Sequence, residues 1–308
     1  MRYIVRIILL IFLLFSANAQ ASARSPLSQL TIIVSSYDKY SSLWEPFFHL
    51  LFENWPSLKA SNKNIKIVLV ANNKTYDDPR VFTSLSPFAR GWSGNVNDAL
   101  KHVHTKYVLY LQDDYFIRNK VDEKVIAGIL KAMNKLDLDY VELYKRIRTN
   151  GNTLPLVKGY NYLSYQAEEE IMPRSLQASI WRKDVLSYYT NNKIKIWDFE
   201  YLPVNQKHKF AFYNKNYQPI NYANIMLQGK IHYRSLCWFL NKCEDKSFDK
   251  LLQNLELSKK SKFFFSSLWY KQHYPTLFIG FCKLKGYLKN IQFFAIDKIN
   301  QFKDGIGV

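Results

Sequence analysis

The chain has 308 residues and a formal net charge of +18, set by 43 Lys and Arg against 25 Asp and Glu. Hydrophobic residues make up 48% of it and charged residues 22%, which excludes a disordered or collagen-like chain. The large basic excess indicates an anionic partner, and the candidates are nucleic acid, acidic lipid headgroups and a phosphorylated substrate. Three cysteines are too few for a disulfide framework and match no zinc-binding spacing.

The first 25 residues have the composition of a secretory signal. Arg2 and Arg6 precede an apolar run over 7–15, and residues 17–19 read Ala-Asn-Ala, which fits a signal-peptidase site. The apolar run is shorter than the roughly 20 residues that a bilayer-spanning helix needs. Three interpretations stay open: a cleaved signal, an uncleaved membrane anchor, and an extension outside the functional protein.

Strands and helices alternate over the next part of the chain. Runs of apolar, often β-branched residues predict strands at 30–36, 65–70, 107–111 and 139–144. Apolar residues at helical spacing predict helices at 44–52, 96–103 and 121–136. This alternation predicts an α/β fold with parallel strand order. Beyond residue 150 the pattern is less regular, with a strand or turn expected at 175–181, a helix at 183–189 and another helix starting near Trp197.

Polar residues stand at the ends of three of these predicted strands. They are Ser35 to Asp38, Asn72-Asn73 and Asp113-Asp114. In α/β sheets, ligands bind outside the carboxyl ends of the strands. The sequence therefore predicts a ligand site at this edge of the sheet.

The acidic pair Asp113-Asp114 is the most informative of the three. Two adjacent carboxylates after a buried strand repel each other, and a hard divalent cation would relieve that repulsion. Mg²⁺ and Mn²⁺ prefer oxygen ligands and keep coordination positions for phosphate. The pair therefore fits a clamp for a metal-bound diphosphate. The alternative is an Asp-Asp turn that only caps the next element.

Three segments together resemble the GT-A glycosyltransferases, particularly bacterial relatives of glycosyltransferase family 2. Residues 31–38 resemble the family's nucleotide-binding start, and 107–114 resemble its acidic DxD-type motif in an x-Asp-Asp form. Residues 179–182 and 197–200 together resemble its acceptor-side segment and acidic base motif. The resemblance covers about residues 30–235. It implies an α/β fold of the GT-A type, in which helices flank a Rossmann-like mixed sheet. We assign this domain to residues 26–240.

The resemblance also implies how a nucleotide-sugar donor and a cation, Mn²⁺ or Mg²⁺, would be held. Ser36, Tyr37 and Asp38 would line the nucleotide base and ribose. Asp113 would face the donor ribose or diphosphate and, together with Asp114, would ligate the metal. The cation would then neutralise charge on the leaving nucleoside diphosphate.

The acidic base implied by the resemblance is Glu200 or Asp198. Either carboxylate would deprotonate the acceptor hydroxyl as a general base. Glu200 is the closer match to the acidic end of the family's segment. Residues two apart on a helix do not share a face, so both are not expected to point into one site. The alternative for either is an acid near a helix N-terminus, favoured by the helix dipole.

Three basic residues complete the implied site. His232 is a candidate late metal ligand, and Lys230 and Arg182 are candidate contacts to the donor phosphates. A structural histidine and a surface arginine are the alternatives. The sequence departs from the family pattern at Asn72-Asn73, where many members carry an acidic residue that recognises the nucleotide base of the donor. The identity of that nucleotide base therefore stays open.

The C-terminal region, 241–308, is expected to form a basic helical appendage. Residues 259–308 contain nine lysines against two aspartates, a net charge of +7, interleaved with aromatic side chains. Such segments suit the surface of an anionic membrane. Helices that pack their aromatics against the domain are the alternative.

The leading hypothesis is an inverting, metal-dependent glycosyltransferase acting on a glycan or lipid-linked acceptor in bacterial surface polysaccharide or lipopolysaccharide synthesis. A secreted metal-dependent hydrolase that uses Asp113 and Asp114 is the alternative, and a non-enzymatic basic binding protein is the third. Nucleic acid is disfavoured because no helix-turn-helix, zinc-finger or RRM pattern is present. We expect a membrane-associated enzyme at the cytoplasmic face, while the signal-like segment leaves an exported or luminal location open.

Overall fold

The computed structural model describes residues 25–59, 65–144, 154–166, 172–191, 193–227, 230–231 and 235. These residues divide into two compact units. The first draws on 25–38, 52–112 and 119–221, and the second on 39–51, 113–118 and the described residues from 222 onward. The units interleave along the chain, and the predicted domain bounds of 26–240 stay a prediction. Residues 1–24 of the predicted leader and the whole predicted appendage, 241–308, lie outside the described residues.

The described strands and helices are as follows. The strands are β1 (Leu30–Ser35), β2 (Lys66–Ala71), β3 (Val81–Leu85), β4 (Tyr107–Gln112), β5 (Tyr115–Ile117), β6 (Tyr140–Glu142), β7 (Leu156–Val157), β8 (Tyr160–Tyr165), β9 (Ser179–Arg182), β10 (Phe210–Tyr213), β11 (Tyr222–Asn224), β12 (Met226–Leu227) and β13 (Lys230–Ile231). The helices are α1 (Trp44–Asn54), α2 (Pro56–Lys59), α3 (Gly91–Leu100), α4 (Glu123–Leu136), α5 (Lys183–Thr190) and α6 (Ile196–Phe199). Short 3₁₀ turns cover Pro26–Gln29, Asp38–Leu43 and Phe88–Arg90.

A nine-stranded mixed sheet forms the first unit, in the order β3-β2-β1-β4-β9-β6-β10-β8-β7. The strands β3, β2, β1 and β4 are parallel neighbours. β9 runs antiparallel between β4 and β6, β10 is parallel to β6, and β8 and β7 complete the far edge in antiparallel order. The predicted α/β fold with a mixed sheet flanked by helices is therefore confirmed.

The central strands are predominantly apolar, as expected for strands whose two faces are both buried. Every residue of β1 is buried, as is every residue of β4 except Gln112. One core cluster joins β1, β2 and β4 to α3 and α5, with Val96 and Leu186 among its helical members. Helix packing on the sheet therefore fixes where the strand ends lie.

Helix α4 depends on a side-chain cap at its N-terminus. The Asp122 carboxylate accepts a hydrogen bond from the backbone N–H of Val125 at 3.1 Å. We expect Asp122→Ala to lower the free energy of unfolding by about 1 kcal/mol, because it leaves that amide unpaired. Urea denaturation measures this loss. Asp122→Asn keeps the cap and should stay close to wild type, and an equal loss in both variants would contradict the capping role.

The second unit contains two small antiparallel pairs among its described residues. β5 pairs with β11, and the rings of Tyr115 and Tyr222 stack with centroids 4.4 Å apart. β12 pairs with β13. The Ile225 amide, between β11 and β12, donates a hydrogen bond to the Asp114 carbonyl at 2.9 Å. This bond joins the turn after β4 to the segment between β11 and β12. None of the described helices has the length and apolar character needed to cross a membrane.

Candidate active site at the carboxyl ends of the central strands

The strand order of the sheet reverses between β1 and β4. β2 and β3 lie on one side of β1, while β4 lies on the other, and the register pairs Ser35 with Gln112 at the carboxyl ends. Such a reversal is a topological switch point, where open α/β sheets bind ligands. Ser36 and Tyr37 follow β1 directly and are partly exposed at this edge. The predicted ligand edge therefore has the expected strand geometry.

The Asp38 carboxylate anchors the loop that follows β2. Its two oxygens accept hydrogen bonds from the backbone amides of Asn72 and Asn73, each at 2.9 Å, and from that of Lys74 at 3.3 Å. Burial raises the pKa of Asp38, but these hydrogen bonds outweigh it and leave the pKa below its ordinary value. Asp38 thus ties the end of β1 to the end of β2.

Removing that anchor should cost stability. We expect Asp38→Ala to lower the free energy of unfolding by about 1 kcal/mol at pH 7. A lowered folded-state pKa stabilises the protein above the unfolded pKa, so the gap between variant and wild type should close as the pH falls below 3.8, the ordinary value. Urea denaturation at neutral and acidic pH tests this, and a gap that is independent of pH would contradict it.

Trp92, at the start of α3, connects the end of β1 to the segment that carries the predicted base. Its indole N–H lies 3.2 Å from the Ser35 hydroxyl and 3.1 Å from the Tyr110 hydroxyl, both as acceptors. Its ring meets that of Phe199 edge-on, with centroids 4.9 Å apart. Sequence reasoning missed Trp92, because an isolated tryptophan beside a glycine gives no sign of partners elsewhere in the chain.

The two candidate bases are held differently. Glu200 follows α6, and its Oε1 accepts a hydrogen bond from the Leu176 amide at 2.7 Å. Asp198 lies in the first turn of α6 and is exposed. Phe199 between them is buried against Trp92. Of the two carboxylates, Glu200 is therefore the one oriented by a described hydrogen bond.

A buried arginine, which the sequence analysis did not identify, donates hydrogen bonds to the backbone of the segment that carries Glu200. Arg174 is fully buried, and its guanidinium donates to the carbonyls of Phe199 at 2.9 Å and Pro203 at 3.1 Å, and also to that of Leu202. The guanidinium carbon lies 4.2 Å from the centre of the Tyr189 ring. Arg174 therefore fixes the backbone on both sides of Glu200.

The acidic pair belongs to the second unit and directly follows Gln112 in the chain. Asp113 is buried, and Asp114 is largely so. Within the described part of the chain, Oδ1 of Asp114 has no hydrogen-bond partner. Burial raises the pKa of Asp114 to about 7, although hydrogen bonds from its own amide and that of Met226 oppose the rise. A buried carboxylate oxygen without a partner fits a divalent cation.

The third predicted metal ligand and one predicted phosphate contact lie at the limit of what the structure describes. His232 is outside the described residues, and Lys230 pairs through its backbone with Leu227 in the β12–β13 ribbon. No group of three or more His, Cys, Asp or Glu side chains that could hold a metal occurs among the described residues. Among the described residues the predicted metal ligands are therefore Asp113 and Asp114, and metal binding by them stays a prediction.

The structure does not bring Arg182 to the ligand edge. β9 runs antiparallel to β4, so Arg182 lies opposite Tyr107, at the amino end of β4. Its guanidinium is within 3.0 Å of three carboxylates, those of Asp137, Asp139 and Asp184. Burial lowers the pKa of Arg182, and these acids more than offset that effect. Arg182 thus joins β6, β9 and α5 away from the switch point.

No protein-family model matches the chain. Over 88 residues the chain is 30% identical to β-1,4 N-acetylgalactosaminyltransferase 2 of Mus musculus. That match spans 28% of this chain and 17% of the mouse protein, so most of the relative's length lies outside the match.

Solved structures give further, distant similarities. S. aureus TarS 1-349 is 15% identical, with 76% of each chain covered and a TM-score of 0.40. The mannosyltransferase PcManGT from Pyrobaculum calidifontis, in complex with GDP-Man and Mn²⁺, is 12% identical, with 84% of this chain and 87% of that chain covered and a TM-score of 0.38. The 88-residue match to an N-acetylgalactosaminyltransferase is in line with the glycosyltransferase resemblance of the sequence.

Proposed function

We propose that this protein is an enzyme that transfers a sugar from a nucleotide-diphosphate donor to an acceptor hydroxyl, using Mn²⁺ or Mg²⁺. The observation that carries the proposal is the buried pair Asp113-Asp114, which directly follows β4 in the chain and has one carboxylate oxygen without a described hydrogen-bond partner. The partial identity to a named glycosyltransferase supports the same reaction class.

The donor would bind at the carboxyl ends of β1 and β4. Ser36 and Tyr37, which follow β1, would line the nucleotide. Asp38 would act mainly by holding the loop after β2 in place, since both of its oxygens already accept amide hydrogen bonds. Asp113 and Asp114 would hold the cation. When bound, the cation supplies charge neutralisation on the departing nucleoside diphosphate.

Glu200 is proposed as the general base. Its carboxylate would take the proton of the acceptor hydroxyl as that oxygen attacks the anomeric carbon. The Leu176 amide orients the carboxylate, while Phe199, packed on Trp92, places α6 beside the end of β1. One displacement assisted by one base inverts the anomeric configuration, in keeping with the family resemblance.

The acceptor would be a glycan or a lipid-linked sugar of bacterial surface polysaccharide. Because bacterial nucleotide sugars are cytosolic, such an enzyme would have to act at the cytoplasmic face of the membrane to reach its donor. The net charge of +7 over 259–308 supports attraction to an anionic membrane surface.

Nucleotide binding tests the donor proposal. Thermal unfolding of the full chain should be monitored with UDP, GDP or dTDP, each with and without Mn²⁺ or Mg²⁺. We expect one nucleotide to raise Tm only when the cation is present, because a ligand that binds the native state stabilises it. No response to any of them would overturn the proposal. Sugar release to water that is unaffected by any acceptor would instead favour the metal-dependent hydrolase.

A further inference from the structure

A cavity of about 650 Å³ lies within the first unit, at the amino-terminal half of β2 and β3. The volume falls within the usual range for small-molecule sites. Val68 is the lining residue of β2 nearest to the ligand edge, and Asn72, four residues later, belongs to that edge. At about 3.3 Å per residue the two positions are roughly 13 Å apart. The cavity is therefore separate from the proposed donor site.

The floor of the cavity is apolar. Its buried lining side chains come from α1, α2, β2 and the residue before β2, and they are Phe52, Leu58, Ile65, Ile67 and Val68. Phe82 on β3 forms one wall and remains 51% exposed. β3 is an edge strand of the nine-stranded sheet, so that aromatic ring faces solvent at the sheet margin. An apolar ligand part lying over this floor would remove exposed apolar surface from water.

The rim of the cavity is basic. Lys66, Arg80, His102 and His104 line it, and no acidic residue is among the described lining residues. The Arg80 guanidinium lies 3.4 Å from the centre of the Phe52 ring, and the His102 ring is 4.6 Å from that of Phe82. Asp78 pairs with Arg80 at 2.6 Å and so neutralises part of this charge. The remaining basic groups lie directly beside the apolar floor.

We propose that this cavity binds a single-chain amphiphile with a phosphate headgroup. The alkyl chain would lie on the floor against Phe82, and the phosphate would sit among Lys66, His102 and His104 at the rim. A bare anion would leave the apolar floor uncovered, and a neutral amphiphile would leave the net positive charge of the rim unneutralised. Charge complementarity and the apolar floor together therefore select this ligand class.

Calorimetric titration with decyl phosphate, below its critical micelle concentration, tests the proposal on the full chain. We expect decyl phosphate to bind at least tenfold more tightly than decyl maltoside or inorganic phosphate. Equal affinity for the phosphate and the maltoside would overturn the assignment of a charged headgroup. Binding by inorganic phosphate as tight as by decyl phosphate would overturn the alkyl-chain site, and no binding of decyl phosphate would overturn both.

Two matched substitutions locate the binding. Phe82→Asp should weaken decyl phosphate at least tenfold, while Phe88→Asp, at an aromatic that is 73% exposed and does not line the cavity, should change it less than twofold. Equal weakening in both would overturn the location. If Phe82→Asp fails to fold, the double variant Lys66→Gln/His102→Gln replaces it. That variant should lose the preference for decyl phosphate over decyl maltoside, and a retained preference would overturn the role of the rim.

Because the cavity is remote from the proposed donor site, Phe82→Asp should keep the cation-dependent nucleotide shift. Loss of decyl phosphate binding with an intact nucleotide shift would support a separate site. A chain that binds decyl phosphate but no nucleotide would overturn the transferase and leave the amphiphile site standing.

Discussion

Replacing Asp114 by Asn should abolish cation-dependent nucleotide binding and, at the same time, make the metal-free protein more stable. The buried Oδ1 of Asp114 has no described hydrogen-bond partner, so its negative charge is costly without a cation. An amide removes that charge but is a much poorer ligand for Mg²⁺ or Mn²⁺. Because a bound cation contributes several kcal/mol to such reactions, we expect sugar transfer to fall by about 100-fold or more.

The pH dependence of stability gives this prediction a second readout. The folded pKa of Asp114, about 7, lies above the ordinary value of 3.8. Protonated Asp114 thus contributes stability that is fully present below the unfolded pKa and is lost as the pH rises through the folded pKa. Between pH 4 and pH 8 the stability gain of Asp114→Asn over wild type should grow from near zero to roughly 2–4 kcal/mol.

Urea denaturation in EDTA across this pH range measures the effect, and the same titration with Mn²⁺ and nucleotide should reverse the order of the two proteins. Asp77→Asn, at an exposed aspartate, is the control and should differ from wild type by less than about 0.5 kcal/mol at every pH. An Asp114→Asn protein that keeps its cation-dependent nucleotide shift would contradict the proposed metal role. A stability gain that does not change with pH would contradict the burial of an ionised carboxylate.

The central sheet could be predicted because each of its inner strands is a short run of mostly apolar residues that is recognisable in the sequence. β1 and β4 are apolar on both faces, and the observed bounds lie within one residue of the predicted ones. β3 was missed because its polar residues interrupt the apolar run, and it becomes a strand through its parallel register with β2. Helix α3 begins at Gly91, five residues before the predicted start. The prediction missed its first turns because they are rich in glycine and polar residues and show no apolar helical spacing.

The candidate site was predictable only where neighbouring residues in the sequence form a recognisable functional pattern. Adjacent carboxylates after an apolar strand, Asp113 and Asp114, are visible in sequence. The bonds of Trp92 and Arg174 join residues that are 57 and 25 positions apart, which no local pattern reveals. The position of Arg182 depends on the direction of β9, and the antiparallel pairing with β4 sends that residue to the amino end.

Arg174 should have the largest effect on stability among the residues that support Glu200. Replacement by Met keeps much of the side-chain volume but leaves the carbonyls of Phe199, Leu202 and Pro203 without their charged donor. Each unpaired buried acceptor costs about 1–3 kcal/mol. We expect a total loss of about 3–5 kcal/mol, in the lower part of the sum for three acceptors, because the variant no longer buries a charged guanidinium. For a chain of this size that corresponds to a fall in Tm of roughly 10 °C. Arg90→Met, which breaks an exposed pair with Asp98, should cost less than about 1 kcal/mol.

The conservative change Arg174→Lys separates stability from positioning. A lysine ammonium cannot match the planar fork that serves three carbonyls and stacks on Tyr189, so the backbone around Glu200 should shift even where the protein folds. Well below its Tm, this variant should therefore show a reduced kcat for sugar transfer with an unchanged Kd for nucleotide and cation. A fall by the same factor in the apparent kcat and in the fraction of chains that bind nucleotide would indicate a general loss of folded protein, and an unchanged kcat would show that Arg174 does not position the base.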